Sequence, residues 1–498
     1  MSTLNKFLRR LAAAIMPVVM LVLCCPPSPA RAGERSVIVG FHGKPGAQAE
    51  SLLRGHGGRV TGKFRHLKAV TATLSDQKMA ELRKNPAVKY VVEDTLYQVI
   101  EPINAAASPE EYLNSWGVAH IGGEIAHSDG ITGAGVRVAV LDSGIDYNHP
   151  ELAENYQGGW DFVFNDSDPL DDSWNSHGTH VAGIIAAAAN GSGCVGVAPN
   201  TAIYGVKVLD GAGFGLLSWI IAGIDWAVDN DIDIVNISIG GPHTAALEDA
   251  CATAYQAGVL LVAAAGNGNT VTYPAAYDSV IAVTATDRED QQGWFAPTGT
   301  AIELTAPGVL ITSTAADDGY AELSGTSQAA PHVSGVAALL LSAGVADVNN
   351  DGVISNVDLR QQLQNSARDL GAAGHDPIYG FGLVDAAAAL SPPGHDDPYL
   401  VLELTTRRKG DNRATSVTLA EELFQITIRN SSLRGVNMIV LESGSRRSDL
   451  SEMVHFKRQE TEEVTFMLDA HGTTYDVVFQ PIGKPGGTAT IIINREND

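Results

Sequence analysis

The chain has 498 residues, which is too long for one ordinary domain, and its 45% hydrophobic content excludes a disordered polypeptide. Its charge is uneven. Residues 34–100 carry 11 Lys and Arg against 6 Asp and Glu, a net of +5, whereas residues 101–393 carry 5 against 35, a net of −30. So acidic a region argues against nucleic acid as a partner; it suits cation binding, although a solvated surface explains it equally well.

The N-terminus has the pattern of a secretory signal peptide. Basic residues precede an apolar run at residues 11–23, and residues 30–32 fit a small-residue cleavage site. The run is too short for a stable membrane span. We therefore predict a signal peptide at residues 1–32 and a secreted protein. A lipid anchor at Cys24, which would make a cell-surface lipoprotein, is the alternative.

Two cysteines, Cys194 and Cys251, remain after this cleavage. Two are too few for a disulfide framework. The sequence leaves open both one disulfide and two unpaired buried thiols.

Residues 33–105 predict a small α+β domain. The expected strands are SVIVGF, VTATLS and VKYVVED, and the expected helices are AQAESLLRG and DQKMAELRKN. A polar stretch, EPINAAASPEE, follows as a linker.

Residues 106–392 predict an α/β domain. Five apolar strands, VRVAVLD, IYGVKVLD, IDIVNISIG, GVLLVAAAGN and SVIAVTATD, alternate with helical stretches such as LSWIIAGIDWAVDN. Strands that are apolar throughout are typical of a parallel sheet buried on both faces. We therefore predict a doubly wound, mostly parallel sheet. Residues 393–498 begin with the linker SPPGHDDP and continue with seven short strands, from YLVLEL to TATIIIN, typical of a separate all-β sandwich.

Ser327 stands at the N-terminal end of an apolar, small-residue segment, AAPHVSGVAALLL, that predicts a buried helix. A serine at this position can be a helix N-cap. It can also be a nucleophile, because the N-terminal end of a helix stabilises developing negative charge. Ser327 alone does not decide between the two interpretations.

Three further polar residues lie in glycine-rich corners of the predicted sheet. Asp142 ends the strand VRVAVLD and could orient a histidine, and His177 begins the segment HGTHVAG. His180, one turn further into the helix, is the alternative histidine. Asn267 ends GVLLVAAAGN, where its amide can donate to an oxyanion. Taken singly, Asp142 and Asn267 are also explained as ordinary turn residues.

Five motifs in order, VAVLDSGIDYNHPEL, HGTHVAGIIA, NISIGGP, AAAGN and GTSQAAPHVSG, resemble those of the subtilisin-like serine proteases, or subtilases. The resemblance covers residues 112–390. It implies that Ser327 is the nucleophile, that His177 takes and returns its proton, and that Asp142 holds the imidazole tautomer. It also implies that Asn267 completes the oxyanion hole.

The resemblance extends to the substrate pockets. Two segments are expected to hold an extended peptide between them: Gly213, Phe214 and Gly215 on one side, and Ser238, Ile239 and Gly240 on the other. The second segment would also form one wall of the S1 pocket, and residues 264–268, with Ala264 and Gly266, would form the other wall. Thr272 would lie near the S1 floor, and Leu217, Ile220 and Ile239 would form an apolar S4 pocket. No presumed S1 wall residue is charged, so apolar P1 residues are expected, and apolar P4 residues likewise.

Residues 33–105 resemble the inhibitor-type propeptide of subtilases. Such a segment would assist folding, inhibit the enzyme and leave after self-cleavage within residues 98–109; a permanent N-terminal domain is the alternative. The resemblance also implies two partial calcium sites, one with Glu151 and Asn190 and one with Asp161 and Asp166. A solvated acidic loop explains the second pair equally well.

The loop DVNNDGVISNVD, residues 347–358, matches the pattern of a calcium-binding loop between two helices. The expected ligands are Asp347, Asn349, Asp351, the carbonyl group of Val353, Ser355 through a water molecule, and Asp358. Asp at the twelfth position resembles dockerin loops. An acidic turn without metal is the alternative.

Together these observations predict a secreted, self-processed serine endopeptidase that is monomeric, contains structural Ca²⁺ and cleaves proteins or peptides. Its own propeptide would be chaperone and inhibitor. Two alternatives remain: a catalytically silent subtilase scaffold, and a surface adhesion or assembly protein.

Overall fold

The computed structural model describes residues 34–100, 103–105, 111–349 and 351–390, and the backbone of eight strands between residues 400 and 496. The described residues fall into two compact units. The first contains residues 34–64 and 68–94, and the second contains residues 65–67 and the chain from residue 95 onwards.

Four antiparallel strands and two helices make up the first unit. They are β1 (Glu34–Phe41), α1 (Ala47–Gly55), β2 (Arg59–Lys63), β3 (Ala69–Ser75), α2 (Asp76–Leu82) and β4 (Val88–Glu93), with the strand order β2-β3-β1-β4. Met79 and Leu82 share one face of α2 because they are three residues apart, and with Leu53 of α1 they pack on buried side chains of β1. The elements predicted here are present; β2, which reads RVTGK, is an addition.

The second unit contains the remaining elements. Its strands before the C-terminal region are β5 (Leu96–Val99), β6 (Ile103–Ala105), β7 (Arg137–Asp142), β8 (Tyr156–Asp161), β9 (Ala202–Lys207), β10 (Phe214–Leu216), β11 (Ile234–Ile237), β12 (Ile239–Gly240), β13 (Leu260–Ala264), β14 (Ile281–Thr286), β15 (Leu304–Pro307), β16 (Ile311–Ala315) and β17 (Gly319–Ser324). Its helices are α3 (Glu111–Asn114), α4 (Trp116–His120), α5 (Gly123–Ser128), α6 (His177–Ala186), α7 (Leu217–Asp229), α8 (Ala245–Gln256), α9 (Thr326–Ala343), α10 (Asn356–Asn365) and α11 (Ala386–Leu390).

Seven parallel strands form the central sheet, in the order β15-β14-β13-β11-β7-β9-β8. Every side chain of β11, β13 and β14 is buried, so the sheet is covered on both faces. Helix α9 packs on α6, β13 and β14, and α7 packs on α8. The predicted doubly wound α/β fold is confirmed.

The strand order reverses beside β7. The chain passes from β7 to β8 and β9 on one side, and then through α7 to β11 on the other. Open α/β sheets bind their ligands beyond the carboxyl ends of the strands at such a reversal. Asp142 is the last residue of β7 and Ser238 directly follows β11, so the fold places the predicted site at this position.

The C-terminal region contains eight strands in two four-stranded antiparallel sheets, with orders β18-β25-β20-β23 and β19-β24-β21-β22. They are β18 (Leu400–Thr405), β19 (Thr415–Leu419), β20 (Leu423–Arg429), β21 (Gly435–Glu442), β22 (Glu452–Lys457), β23 (Glu463–Asp469), β24 (Tyr475–Ile482) and β25 (Thr488–Glu496). Seven of them were predicted, and β22 was not. An independent sandwich domain stays a prediction.

The described residues bear on two expectations, which concern the state of the two cysteines and the presence of a membrane-spanning helix. Cys194 and Cys251 are both buried and no disulfide joins them, so the alternative of two buried thiols is correct. Burial also raises the pKa of Cys251, which keeps it as an unreactive thiol. In the part of the chain that the structure describes, no helix has the length and apolar character needed to cross a bilayer.

Candidate active site

Ser327 is the second residue of α9, and its hydroxyl group does not cap that helix. Gly325 is the N-cap residue. The Ser327 hydroxyl instead donates to the carbonyl oxygen of Ile100 at 3.2 Å and lies 3.4 Å from that of Ser238. The N-cap interpretation of Ser327 is therefore wrong, and its buried hydroxyl is left for another role.

Pro331 lies inside α9 and leaves the carbonyl oxygen of Ser327 without its helical partner, because proline has no N–H to donate four residues back. The hydroxyl group of Ser238 donates to that oxygen at 3.1 Å. Ser238 is held in turn by Asn236 Nδ2 at 3.1 Å, and Asn236 Oδ1 accepts from Ser334. This buried chain of hydrogen bonds ties the end of β11 to the backbone of the candidate nucleophile.

His177, the first residue of α6, makes a buried hydrogen bond to Asp142. The distance from Nδ1 to Oδ1 is 2.8 Å, and neither side chain is more than 1% exposed. Because Nδ1–H points at the carboxylate, Nε2 remains as a proton acceptor, and it has no hydrogen-bond partner among the described residues. The structure thus brings His177 and Asp142 together, whereas the Ser327 hydroxyl donates to Ile100 and not to His177.

His180 is unsuited to act as the base. Its Nε2 donates to the carbonyl oxygens of Ile311 and Ala321, at 3.2 and 3.1 Å. Burial lowers its pKa to about 3, so this imidazole stays neutral and structural. Of the two histidines considered, His177 is therefore the one that contacts the carboxylate of Asp142.

Asp171 holds this arrangement in place, and sequence reasoning missed it. Its buried carboxylate accepts from the hydroxyl of Ser143 at 3.0 Å, and from the N–H and hydroxyl of Thr179 at 3.0 and 2.7 Å. Ser143 follows Asp142, and Thr179 lies in the first turn of α6. Asp171 therefore connects the two elements that carry the carboxylate and the histidine. Nothing in its acidic surroundings in the sequence distinguishes it from a solvated residue.

Asn267 lies just beyond β13, and its side-chain amide has a fixed orientation. Oδ1 accepts from the N–H of Thr326 at 2.9 Å and from its hydroxyl at 3.1 Å. Gly325 leaves room for the amide, because a Cβ there would lie 3.0 Å from Asn267 Nδ2. With Oδ1 held by Thr326, Nδ2 is the end of the amide that can donate near the N-terminus of α9, where negative charge is favoured.

Strand β5 lies between β10 and β12 as the middle strand of an antiparallel three-stranded sheet. Gln98 is opposite both Phe214 and Gly240, and the N–H of Val99 donates to the carbonyl oxygen of Gly213 at 2.8 Å. These flanking residues belong to the two segments predicted to hold a peptide. The sheet carries the chain to Ile100, whose carbonyl group meets Ser327.

Ile100 lines the same cavity as three of the predicted substrate-binding residues, Gly240, Gly266 and Thr272. A Cβ built on Gly240 would lie 2.7 Å from Thr272 Oγ1 and 3.3 Å from the Ile100 side chain, and one built on Gly266 would lie 3.1 Å from Thr272. An uncharged pocket of this kind suits an aliphatic side chain. The other predicted pocket residues are buried: Leu217 and Ile220 in α7, Ile239 in β12, Ser238 after β11 and Ala264 at the end of β13.

The two partial calcium sites have their carboxylates engaged within the protein. Glu151 accepts from Asn190 Nδ2 at 2.8 Å and from the Tyr320 hydroxyl at 2.7 Å. The carboxylate of Asp161 accepts from two backbone N–H groups of the following turn, and burial raises its pKa. Asp161 and Asp166 are joined by hydrogen bonds between their backbones. Across residues 34–100, 111–349 and 351–390, no three His, Cys, Asp or Glu side chains are grouped so that they could hold a metal ion.

The loop at residues 347–358 folds around its own backbone N–H groups. Asp347 accepts from the N–H of Asp351 at 3.2 Å and from that of Gly352 at 2.9 Å, and Gly352 has the positive φ of 83° that suits a sharp turn. Ser355 and Asp358 form the capping box of α10. These last two predicted ligands therefore serve as helix caps in the structure and would have to exchange those bonds to reach an ion.

Residues 133–382 match the family profile Peptidase_S8, described as the subtilase family. The chain belongs to the subtilase family. This subtilase is 40% identical to subtilisin E of Bacillus subtilis strain 168 over 369 residues, which cover 72% of this chain and 90% of that protein. It is 44% identical to subtilisin of Bacillus pumilus over 281 residues, covering 55% and 98% of the two chains.

A third relative, the minor extracellular protease Epr of Bacillus subtilis strain 168, is 37% identical over 401 residues, covering 78% of this subtilase and 59% of that protein. Membership of the family and these relatives make this subtilase a serine endopeptidase, a hydrolase whose substrates are peptides.

Proposed function

We propose that Ser327, His177 and Asp142 are the catalytic triad of this subtilase and that Asn267 binds the oxyanion. Three features of the site support the proposal: the buried hydrogen bond from His177 to Asp142, the Nε2 atom of His177, which has no partner in the described part of the chain, and the fixed orientation of the Asn267 amide. Each supplies one element that acyl transfer to a serine requires.

The reaction begins when the Ser327 hydroxyl turns from Ile100 towards His177. Ser327 Oγ attacks the carbonyl carbon of the scissile bond while its proton passes to His177 Nε2. The oxyanion of the tetrahedral intermediate accepts a hydrogen bond from Asn267 Nδ2. Collapse breaks the carbon–nitrogen bond as His177 gives its proton to the leaving amine. Water then attacks the ester carbon of the acyl-enzyme as His177 takes its proton, and the bond from that carbon to Ser327 Oγ breaks as His177 returns the proton to Ser327.

The position of the Ile100 carbonyl group supports a further proposal, which is that this subtilase cleaves its own chain. This carbonyl lies against Ser327, at the end of a strand held between two strands of the enzyme. The peptide bond after Ile100 is then the bond that Ser327 cleaves, with Ile100 at P1. Residues 33–100 would then be the propeptide, and the bond after Ile100 lies within the region, residues 98–109, where cleavage was predicted. The uncharged pocket around Ile100 also supports a preference for apolar P1 residues.

Secretion and calcium binding complete the proposed function. The N-terminal pattern of residues 1–32 is that of a signal peptide, and one relative is named an extracellular protease. For calcium we propose the loop at residues 347–358, because its first half presents the oxygen donors that calcium prefers. Asp347, Asn349 and Asp351 would hold the ion, which would stabilise the fold and take no part in the chemistry.

Labelling with a serine-directed fluorophosphonate tests the proposed triad. The processed enzyme obtained from the full chain should be labelled and should hydrolyse peptides, because the reagent requires an activated serine. Ser327→Ala should do neither, and Ser342→Ala, which removes a half-buried serine near the C-terminal end of α9, should still be labelled. Absence of labelling in the folded wild-type protein would favour a silent scaffold or an adhesion protein instead.

A further inference from the structure

Tyr97 and Val99 are the two buried side chains of β5. Tyr97 is 1% exposed, whereas its neighbour Leu96 is 61% exposed and Gln98 also faces solvent. Alternate residues of a strand point to opposite faces, so Tyr97 is on the face that meets the enzyme. Tyr97 lies three residues before Ile100 and therefore occupies the P4 position of the segment that ends at Ser327.

The ring of Tyr97 fits against a glycine. A Cβ built on Gly241 would overlap the ring atoms, and no other neighbour lies as close to that point. Gly241 is fixed by a pair of backbone hydrogen bonds with Tyr273, at 2.9 and 3.2 Å. The ring therefore occupies the space that a side chain at position 241 would fill. The hydrogen bonds to Tyr273 hold the backbone of Gly241 in place beside the ring.

The far end of this pocket is polar. The hydroxyl group of Tyr97 donates to the carbonyl oxygen of Pro242 at 2.5 Å. Burial raises the pKa of Tyr97 to about 12, so the hydroxyl keeps its proton and remains a donor at neutral and mildly alkaline pH. A phenylalanine in the same place would fill the apolar part of the pocket but would leave the Pro242 oxygen without this partner.

We propose that the S4 pocket of this subtilase selects tyrosine, so that its preferred substrates are extended peptides with tyrosine at P4 and an aliphatic residue at P1. The proposal rests on the proposed function, since it takes Ile100 as the P1 residue. It replaces the expectation of a purely apolar P4 preference: Gly241 provides the space and the Pro242 carbonyl reads the phenol. A site that hydrogen-bonds a substrate hydroxyl discriminates against the analogue that lacks it.

Three peptide anilides test the proposal on the processed enzyme obtained from the full chain. They share the sequence X-Gln-Val-Ile-p-nitroanilide, with X as tyrosine, phenylalanine or 4-methylphenylalanine. The third matches tyrosine in size but cannot donate a hydrogen bond. The kcat/KM for tyrosine should exceed those for both analogues by roughly 3- to 10-fold, the range expected for one neutral hydrogen bond. Equal or faster cleavage of either analogue overturns the proposal.

The variant Gly241→Ala provides the matched control for the pocket. Its added methyl group takes the space of the ring, so the ratio of kcat/KM between tyrosine and phenylalanine should fall to about one. A full tyrosine preference in this variant would place the ring elsewhere and overturn the proposal. If wild type cleaves all three peptides alike and Ser327→Ala cleaves none, the proposed function stands and the tyrosine selection falls. If wild type cleaves none, both fall.

Discussion

The Nδ1 atom of His177 lies 2.8 Å from Oδ1 of Asp142, and both side chains are buried. The same carboxylate oxygen accepts the backbone N–H of Ser143 at 2.7 Å. Asp142 is therefore held independently of the histidine that it orients. A carboxylate in this position fixes the tautomer that leaves Nε2 unprotonated, and it stabilises the imidazolium that forms when Nε2 takes a proton.

Asp142→Asn should leave the fold intact and remove most of the activity. The amide has nearly the same shape, but its NH₂ group favours the wrong tautomer of His177. We expect kcat to fall by about 10⁴-fold, the loss typical of serine proteases that lose this carboxylate, with a nearly unchanged melting temperature. Peptide hydrolysis and calorimetry measure the two quantities. A variant that keeps a tenth of the wild-type kcat would contradict the assigned role.

The variant Asn267→Asp distinguishes the role of the amide oxygen of Asn267 from that of its NH₂ group. The aspartate keeps an oxygen that accepts from Thr326, but it has no N–H to give to an oxyanion. Both Asn267→Asp and Asn267→Ala should lower kcat by at least about 10²–10³-fold, the usual effect of losing one oxyanion donor in these enzymes, with little change in KM. Steady-state kinetics test this, and wild-type kcat in the aspartate variant would exclude Asn267 as the donor.

Removal of calcium should act through the loop at residues 347–358. The double variant Asp347→Ala, Asp351→Ala should lose the rise in inactivation temperature that added calcium gives the wild type, because an ion that binds only the folded state stabilises it. Asp129→Ala with Asp278→Ala loses the same charge at exposed positions and should keep the rise. If the double variant retains both the wild-type response and the wild-type calcium stoichiometry, the loop does not bind calcium.

Acid should destabilise the protein through two buried histidines. Burial lowers the pKa of His180 to about 3 and that of His332 to about 4, against about 6.5 in an unfolded chain. Below pH 6.5 the unfolded chain therefore takes up protons that the folded protein refuses, and stability falls as the pH approaches 4. In Ser327→Ala, which prevents self-digestion, the melting temperature should be lower at pH 5.5 than at pH 7.

His332→Gln in the same background tests the assignment. Its melting temperature should fall less between pH 7 and pH 5.5, because one proton fewer is taken up on unfolding. The same decrease in both proteins would show that His332 does not contribute to the acid sensitivity.

The central strands of the fold were predictable because burial on both faces requires continuous apolar runs, as in β13 and β14. Other strands carry no such signal. β8 reads YQGGWD, with little apolar content, and it is a strand because it pairs with β9 at the edge of the sheet. β5 reads LYQV and pairs with β10 and β12, far along the chain, so nothing local to it predicts its place.

Some residues of the candidate site were likewise predictable from the sequence, and others were not. Asp142, His177, Asn267 and Ser327 were predicted because their motifs are distinctive, and each lies at or just beyond the end of a strand or in the first turn of a helix, at the carboxyl end of the sheet. Asp171 was missed because an acidic run does not reveal which carboxylate is buried. The sequence also did not reveal that Ser355 and Asp358 bond to each other, because these two residues fit both the pattern of a calcium loop and that of a capping box.

The proposed self-cleavage after Ile100 is tested most directly by locating the first cut in the chain. The full chain and Ser327→Ala are expressed in parallel, and the masses of the first fragments to appear are measured. The expected products are a propeptide fragment that ends at Ile100 and a complementary product that begins at Glu101, while the Ser327→Ala chain stays uncleaved. A first fragment that ends at another residue, or the same cleavage in Ser327→Ala, would contradict the proposal.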